Sequence, residues 1–266
     1  MANINYVTGA GGFLGSYLTK IKQLENIVAI PHKKISTTKL KSFDKFFFLS
    51  SYGNMFSQTN DHKTIQANLL DLIHILEEAV KHKFESFIYM SSSSVTLPVQ
   101  SIYSRAKKAA EEILLGYQDK YNLPICIVRP YSITGVGEQP SHLIPTLIRA
   151  AYTGETIDFV PEPTHDFIDV EDVANGIFLL SQWRASGIQE IGQGQSYSNQ
   201  AVLELVQKCT GRVINVNIVK NLRPYDSKEW VADNKRIMSF SKKMLQVSIE
   251  EMVKDYEQKN KDISNK

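Results

Sequence analysis

Short, wholly apolar runs alternate with longer stretches in which apolar residues recur every three or four positions, over roughly the first two-thirds of the chain. The runs Asn5–Thr8, Ile27–Ile30, Lys45–Leu49, Ser86–Met90 and Ile125–Val128 are too short for helices and too apolar for surface loops. They predict strands buried on both faces, two of them stopped by Pro31 and Pro130. Between them lie helical periods. Phe13–Gln23 places Leu14, Tyr17, Leu18 and Ile21 on one face, and Thr64–Lys81 and Tyr103–Tyr121 are longer amphipathic stretches. This alternation predicts an α/β fold, a Rossmann-type doubly wound parallel sheet.

Beyond residue 131 the pattern loosens. Helices are expected at His142–Thr153 and Asn199–Cys209, and Asp169–Ser181 reads as a helix returning to the main sheet. The predicted organisation is a nucleotide-binding core over residues 1–131, rejoined by 166–192. A smaller, mostly C-terminal lobe is built from 132–165 and 193–266. The polar tail Gln258–Lys266 is expected to lack structure.

Composition narrows the function classes. The chain of 266 residues is 42% hydrophobic and 22% charged, as an ordinary globular protein is. A net charge of +2, without basic clusters interleaved with aromatics, argues against nucleic acid as a partner. The two cysteines, Cys126 and Cys209, read as core residues of a reducing compartment, and no Cys/His pair has metal-ligand spacing. No run of eighteen apolar residues occurs, and the N-terminus opens directly into a strand and a glycine loop. A cytoplasmic protein without metal or membrane partner is expected.

Thr8 to Gly15 reads TGAGGFLG, with Gly9, Gly12 and Gly15 spaced GxxGxxG between the first strand and the first helix. The first glycine permits a sharp turn, the second a close approach to a pyrophosphate, and the third tight helix–strand packing. The helix start then offers free N–H groups to phosphates. This points to a dinucleotide. Where a carboxylate at the end of the second strand would hold the ribose of NAD, the chain reads Ile30-Pro31-His32-Lys33-Lys34. Basic residues there suit the 2′-phosphate of NADP, with a solvated loop as the alternative and NAD not excluded.

Tyr103 and Lys107 stand one helical turn apart. A nearby ammonium, together with the positive nicotinamide of an oxidised cofactor, is expected to lower the tyrosine pKa from about 10. Tyr103 then exchanges a proton with a substrate oxygen while hydride moves at carbon. Just upstream, the strand ending at Met90 runs into Ser91-Ser92-Ser93-Ser94, at the carboxyl end where parallel sheets bind ligands. A polar turn is the plainer reading of that run.

Together these segments resemble the extended short-chain dehydrogenase/reductases, the family of nucleotide-sugar epimerases, dehydratases and ketoreductases. Besides TGAGGFLG and YSRAK, the likeness takes in QANLLDLIHILEEA around Asn68, FIYMSSSSV, IVRPYSITGVGE, HDFIDVEDVANGI and IGQGQSYS. The resemblance implies catalytic Ser92, Tyr103 and Lys107. It implies a cofactor set of Gly9, Gly12, Phe13, Leu14, Gly15, His32, Lys33 and Ser50, with Tyr103 and Lys107. Substrate contacts would fall on Ser92, Ser93, Ser132, Arg223 and Asp226, with Arg223 at a diphosphate and Asp226 at a ribose. Asn68 would sit near Lys107 and help carry protons. Arg129 is read as either a structural ion-pair partner or a cofactor contact.

The departures are informative. Ser93 and Ser94 stand where the family's dehydratases carry acids, so dehydration is not expected. Ser132 replaces an asparagine and His165 an arginine of the family's diphosphate site. The connection Thr96–Ile102 is short, which implies a more open site or an altered pocket, and the short stretch from Pro31 to Lys45 implies a strand or helix trimmed from the usual core. The leading expectation is an NADPH-dependent 4-keto-(6-deoxy)sugar reductase acting on a nucleotide-linked sugar. A 4-epimerase retaining NAD is second, and a non-catalytic dinucleotide-binding regulator third. The two long helices carry more apolar residues than one sheet face needs; the resemblance implies a four-helix dimer contact and hence a homodimer, with helices that merely cover the sheet of a monomer as the alternative.

Overall fold

The computed structural model describes residues 4–55, 57–220, 230–233 and 243–264. In chain order the elements begin with β1 (Asn5–Thr8), α1 (Phe13–Leu18), β2 (Ile27–Ile30) and β3 (Lys45–Phe48). Next come α2 (Asp61–Ile65), α3 (Asp71–Ala79), β4 (Ser86–Met90), α4 (Ile102–Tyr121) and β5 (Ile125–Pro130). They continue with β6 (Ser132–Thr134), α5 (Leu143–Thr153), β7 (Ile157–Phe159), β8 (Thr164–Asp169) and α6 (Val170–Gln182). The described chain closes with β9 (Gly187–Ile191), β10 (Ser196–Ser198), α7 (Asn199–Thr210), β11 (Val216–Ile218) and α8 (Leu245–Ser264). The chain divides into two compact units, residues 1–130 with 173–191, and residues 131–172 with 192–266.

The first unit is a parallel six-stranded sheet in the order β2-β1-β3-β4-β5-β9. Thr8 pairs with Ile30 on one side and Phe48 on the other. Strand order therefore reverses at β1, and the crevice beyond the carboxyl ends of β1 and β3 is where such a sheet receives a ligand. Along the chain no strand intervenes between β2 and β3. The short connection instead forms a 3₁₀ turn, His32–Thr37, whose Ile35 is driven fully into the core against α3. Aromatic residues dominate that core. Phe46 and Phe87 stack at 4.9 Å, with Phe48 and Tyr89 alongside. Each ring fully withdrawn from water contributes about 1.5–3 kcal/mol.

Several predicted boundaries move, three of them for evident physical reasons. Helix α1 stops at Leu18 rather than Gln23, because Thr19 turns its hydroxyl onto the Gly15 carbonyl and 3₁₀-type bonds follow. Strand β5 runs through Pro130, whose missing N–H is harmless at the last position. Helices α2 and α3 are joined by a π turn, Gln66–Leu70, which carries Asn68. One residue more in that turn re-aims its side chain, a device found often at functional sites.

The second unit packs α5, α7 and α8 over the three-stranded sheet β10-β8-β6 and the pair β11-β7. The polar tail proves helical: α8 continues to Ser264. Leu245, Ile249, Met252 and Val253 bury one face, so the helix is anchored early. The polar residues that follow stay exposed, with Asp255 and Lys259 paired at 2.7 Å. Among the described residues no helix is long and apolar enough to cross a membrane.

Candidate functional site

The glycine loop is pinned from the neighbouring strand end. Thr8 Oγ1 accepts hydrogen bonds from the backbone N–H of Leu49 (3.1 Å) and Ser50 (3.2 Å), and from Ser50 Oγ (3.0 Å). Gly9 adopts φ +70°, and a Cβ there would lie 2.9 Å from Ser50 N. A Cβ on Gly15 would lie 2.1 Å from the Gly9 carbonyl oxygen. Gly12 is different: it is exposed, donates its N–H to Gly9 O at 2.9 Å, and a Cβ would meet only that oxygen at 3.2 Å. Gly9 and Gly15 thus build the turn, while Gly12 leaves the backbone bare at the start of α1, where Phe13 and Leu14 are half-buried. A loop free of side chains at the switch point fits the pyrophosphate of a dinucleotide. The Ser50 hydroxyl is spent on Thr8, so Ser50 serves the loop's shape.

At the end of β2, His32, Lys33 and Lys34 are all exposed. The absence of a carboxylate read from the strand itself is corrected by the fold. Asp71, from α3, lies 3.9 Å from His32 Nδ1, and its other oxygen accepts from Gln66 Nε2 at 2.7 Å.

Tyr103 and Lys107 come from α4, whose start is capped by Ser101 accepting from Ser104 N. The hydroxyls of Ser51 and Ser92 lie beside the Tyr103 phenol and favour its ionised form. Ser92 Oγ also lies 2.8 Å from Ser94 Oγ, while Ser93 is buried at 2% exposure. Ser51 donates to Asn68 Oδ1 at 3.1 Å, and Asn68 donates to the carbonyls of Tyr52 (2.6 Å) and Thr64 (2.8 Å). Lys107 is 1% exposed and donates to the Met90 carbonyl at 2.6 Å. Its Nζ lies 4.7 Å from the Tyr89 ring centre and 5.9 Å from that of Tyr103. Tyr89 in turn donates its hydroxyl to Asn68 O at 3.2 Å.

Electrostatics here differ from the expectation of a lowered tyrosine. Burial pushes the Tyr103 phenol above its usual value, with the Ser51 and Ser92 hydrogen bonds pulling it back. Burial also lowers Lys107 to about 7, against the charge of Glu111. In both groups withdrawal from water is the largest influence.

Arg129 resolves as an ion-pair partner. Its Nε meets Glu111 Oε1 at 2.9 Å and its Nη2 meets Oε2 at 2.6 Å. In the second unit, Ser132 Oγ lies 3.4 Å from His165 Nδ1, and the His165 ring is 5.5 Å from Trp230. Arg223 and Asp226 lie outside the described residues.

Residues 5–192 match the model of the "NAD dependent epimerase/dehydratase family". The chain belongs to that family. It is accordingly an NAD(P)-dependent enzyme of the extended short-chain dehydrogenase/reductase type. Among its relatives, the uncharacterized UDP-glucose epimerase YtcB of Bacillus subtilis is 24% identical over 84% of this chain and 87% of that protein. The GDP-6-deoxy-D-mannose reductase of Pseudomonas aeruginosa is 24% identical over 76% of this chain and 78% of its own length. In fold, the chain is similar to the UDP-N-acetylglucosamine 4-epimerase of Methanobrevibacter ruminantium M1, solved with UDP-N-acetylmuramic acid. That likeness has a TM-score of 0.85 at 20% identity, over 97% of this chain and 100% of that one.

For this family member, reading the sequence missed Ser51, Asp71, Tyr89 and Glu111. Glu111 carried a usable signal, since it repeats the Tyr103-to-Lys107 spacing one turn further along the same helix face. Ser51 and Asp71 carried none, because Ser51 meets Asn68, and Asp71 meets His32, only once separate segments fold together.

Proposed function

We propose that the chain reduces a 4-keto group of a deoxysugar carried on a nucleoside diphosphate, using NADPH, with Ser92, Tyr103 and Lys107 handling the proton. The observation that carries the reading is the buried Lys107, bonded to the Met90 carbonyl one helical turn from Tyr103, with the hydroxyls of Ser51 and Ser92 beside the phenol. Burial keeps Tyr103 protonated at neutral pH, the form an acid must have before it gives its proton to a carbonyl oxygen. When bound, the cofactor supplies the hydride. Ser92 orients the substrate oxygen, Tyr103 delivers the proton, and the ketone becomes an alcohol. The phenolate left behind is stabilised by the Lys107 ammonium and regains its proton through Ser51, beside Asn68. Gly9, Gly12 and Gly15 shape the cofactor's seat, and Lys33 meets a 2′-phosphate. Ser132 contributes to the sugar nucleotide's seat, as do Arg223 and Asp226. The hydroxyls of Ser93 and Ser94 replace the acids dehydration needs, which supports reduction over elimination.

A second reading, a 4-epimerase retaining NAD, draws on Asp71: a carboxylate beside His32 opposes a 2′-phosphate. The purified protein is mixed with NADPH and dTDP-, CDP- and GDP-linked 4-keto-6-deoxy sugars, and nicotinamide absorbance is followed. Steady loss that vanishes in Tyr103→Phe supports the reductase. Tightly held NAD released on denaturation, with no net turnover of NADPH, moves the assignment to the epimerase.

A cytoplasmic homodimer is part of the proposal. Exposed Ile65 and Leu70 at α2 and its π turn, with Ile102 and Ile113 on α4, support a pairing face.

A further inference from the structure

We propose that Tyr89 is a positioning residue for Lys107, its buried ring face on β4 being the seat on which the ammonium rests. The inference rests on Lys107 acting behind Tyr103, as proposed above. Lys107 Nζ lies over the Tyr89 ring, 4.7 Å from its centre, against 5.9 Å for the ring of Tyr103. Tyr89 is 0% exposed and Lys107 1%, so water does not screen the contact. An ammonium has more N–H donors than the Met90 carbonyl, at 2.6 Å, can take. The negative face of an aromatic ring attracts the rest of its charge, most strongly where water is excluded. The ring itself is held at both ends. Its hydroxyl donates to Asn68 O on the π turn at 3.2 Å, and the Phe48 ring from β3 lies 5.9 Å from it. Asn68 in turn accepts from Ser51, which stands beside the Tyr103 phenol. One tyrosine therefore seats the lysine and steadies the turn behind the other hydroxyls of the site. The further titratable groups acting on Lys107 lie on its own helix: Tyr103, and Glu111, which is paired with Arg129 from β5.

A Tyr89 that only fills the core acts through its shape, whereas a ring that seats an ammonium acts through its electrons. The test separates the two. Tyr89→Phe keeps the face and serves as the reference, and phenylalanines carrying successively more ring fluorines are then introduced at the same position. Fluorine draws charge off the ring face and barely changes its shape. The readout is the pH titration of the Lys107 side-chain nitrogen, followed by NMR on ¹⁵N-lysine-labelled full chain, with Lys107→Met identifying the resonance. The wild-type ammonium is expected to titrate at about 7. Along the fluorinated series the midpoint is expected to fall step by step, by about one pH unit in all, the size of a desolvated cation–ring attraction. Should loss of the hydroxyl unfold the chain, mono- and difluorotyrosine at position 89 repeat the comparison with the hydroxyl kept. A midpoint that falls with each fluorine supports the proposal. A midpoint indifferent to fluorination, in variants whose circular dichroism matches wild type, overturns it, whatever happens to turnover. A stepwise fall in a protein that reduces no keto sugar would sink the functional reading and leave this one standing.

Discussion

Arg129 closes a two-point contact on Glu111, Nε to Oε1 at 2.9 Å and Nη2 to Oε2 at 2.6 Å, tying β5 to the helix that carries Tyr103 and Lys107. Removing one member of a buried pair strands the other's charge. Arg129→Met is therefore expected to destabilise the protein by about 3–5 kcal/mol. Urea unfolding monitored by circular dichroism measures this, and a loss under 1 kcal/mol on that scale would mean water reaches Glu111.

Tyr103→Phe removes the hydroxyl and little else. The rate of sugar reduction is expected to fall by roughly 10²–10⁴, the range for a positioned acid. Dinucleotide affinity, measured by fluorescence titration, should stay within a few-fold. If both fall together, Tyr103 holds the cofactor rather than moving the proton.

The glycines of the loop separate shape from ligand contact. Gly15→Ala places a Cβ where only 2.1 Å is available to a backbone oxygen, so it is expected to unfold the first unit or lower its melting temperature steeply. Gly12→Ala meets its nearest neighbour at 3.2 Å and should fold, yet bind dinucleotide more weakly. Thermal melts and binding isotherms on the pair check this; equal effects on folding would refute the division of labour.

Lys107 sets a pH dependence. Its folded value, about 7, is depressed below that of a free lysine. The charge is present below about pH 7 and is lost as pH rises through it, so kcat/KM for reduction should decline above neutrality. Stability has the opposite sign. From about pH 7 up to the free-lysine value the unfolded chain binds more protons than the folded one, so Lys107's contribution to stability improves over that window. In Lys107→Met both dependences should disappear from the rate profile and the urea midpoint series; an unchanged rate profile would assign the limb to another group.

Periodicity and glycine spacing were enough to read a parallel α/β core, the loop after β1, and the helix presenting Tyr103 and Lys107. Such features are local: a run of apolar residues, a turn that tolerates no Cβ, or two residues one helical turn apart can be recognised without knowing what packs against them. The paired departures at Pro31–Lys45 and Ser93-Ser94 were legible for the same reason, and the family resemblance rested on short contiguous segments.

Distance along the chain hid the rest. Ser51 reaches Asn68 and Tyr103 only because β3 and β4 pair and a π turn re-aims the asparagine. Asp71 reaches His32 because, without a strand between β2 and β3, the 3₁₀ turn packs on α3. The burial of Tyr103 and Lys107 was not legible in the sequence for a related reason. Spacing reports which charges are neighbours, whereas burial, which here wins, is decided only when the sheet and helices close around them. Sequence by itself determined the scaffold and the helix face that carries Tyr103 and Lys107; tertiary structure decided how deeply those residues are buried and what they meet.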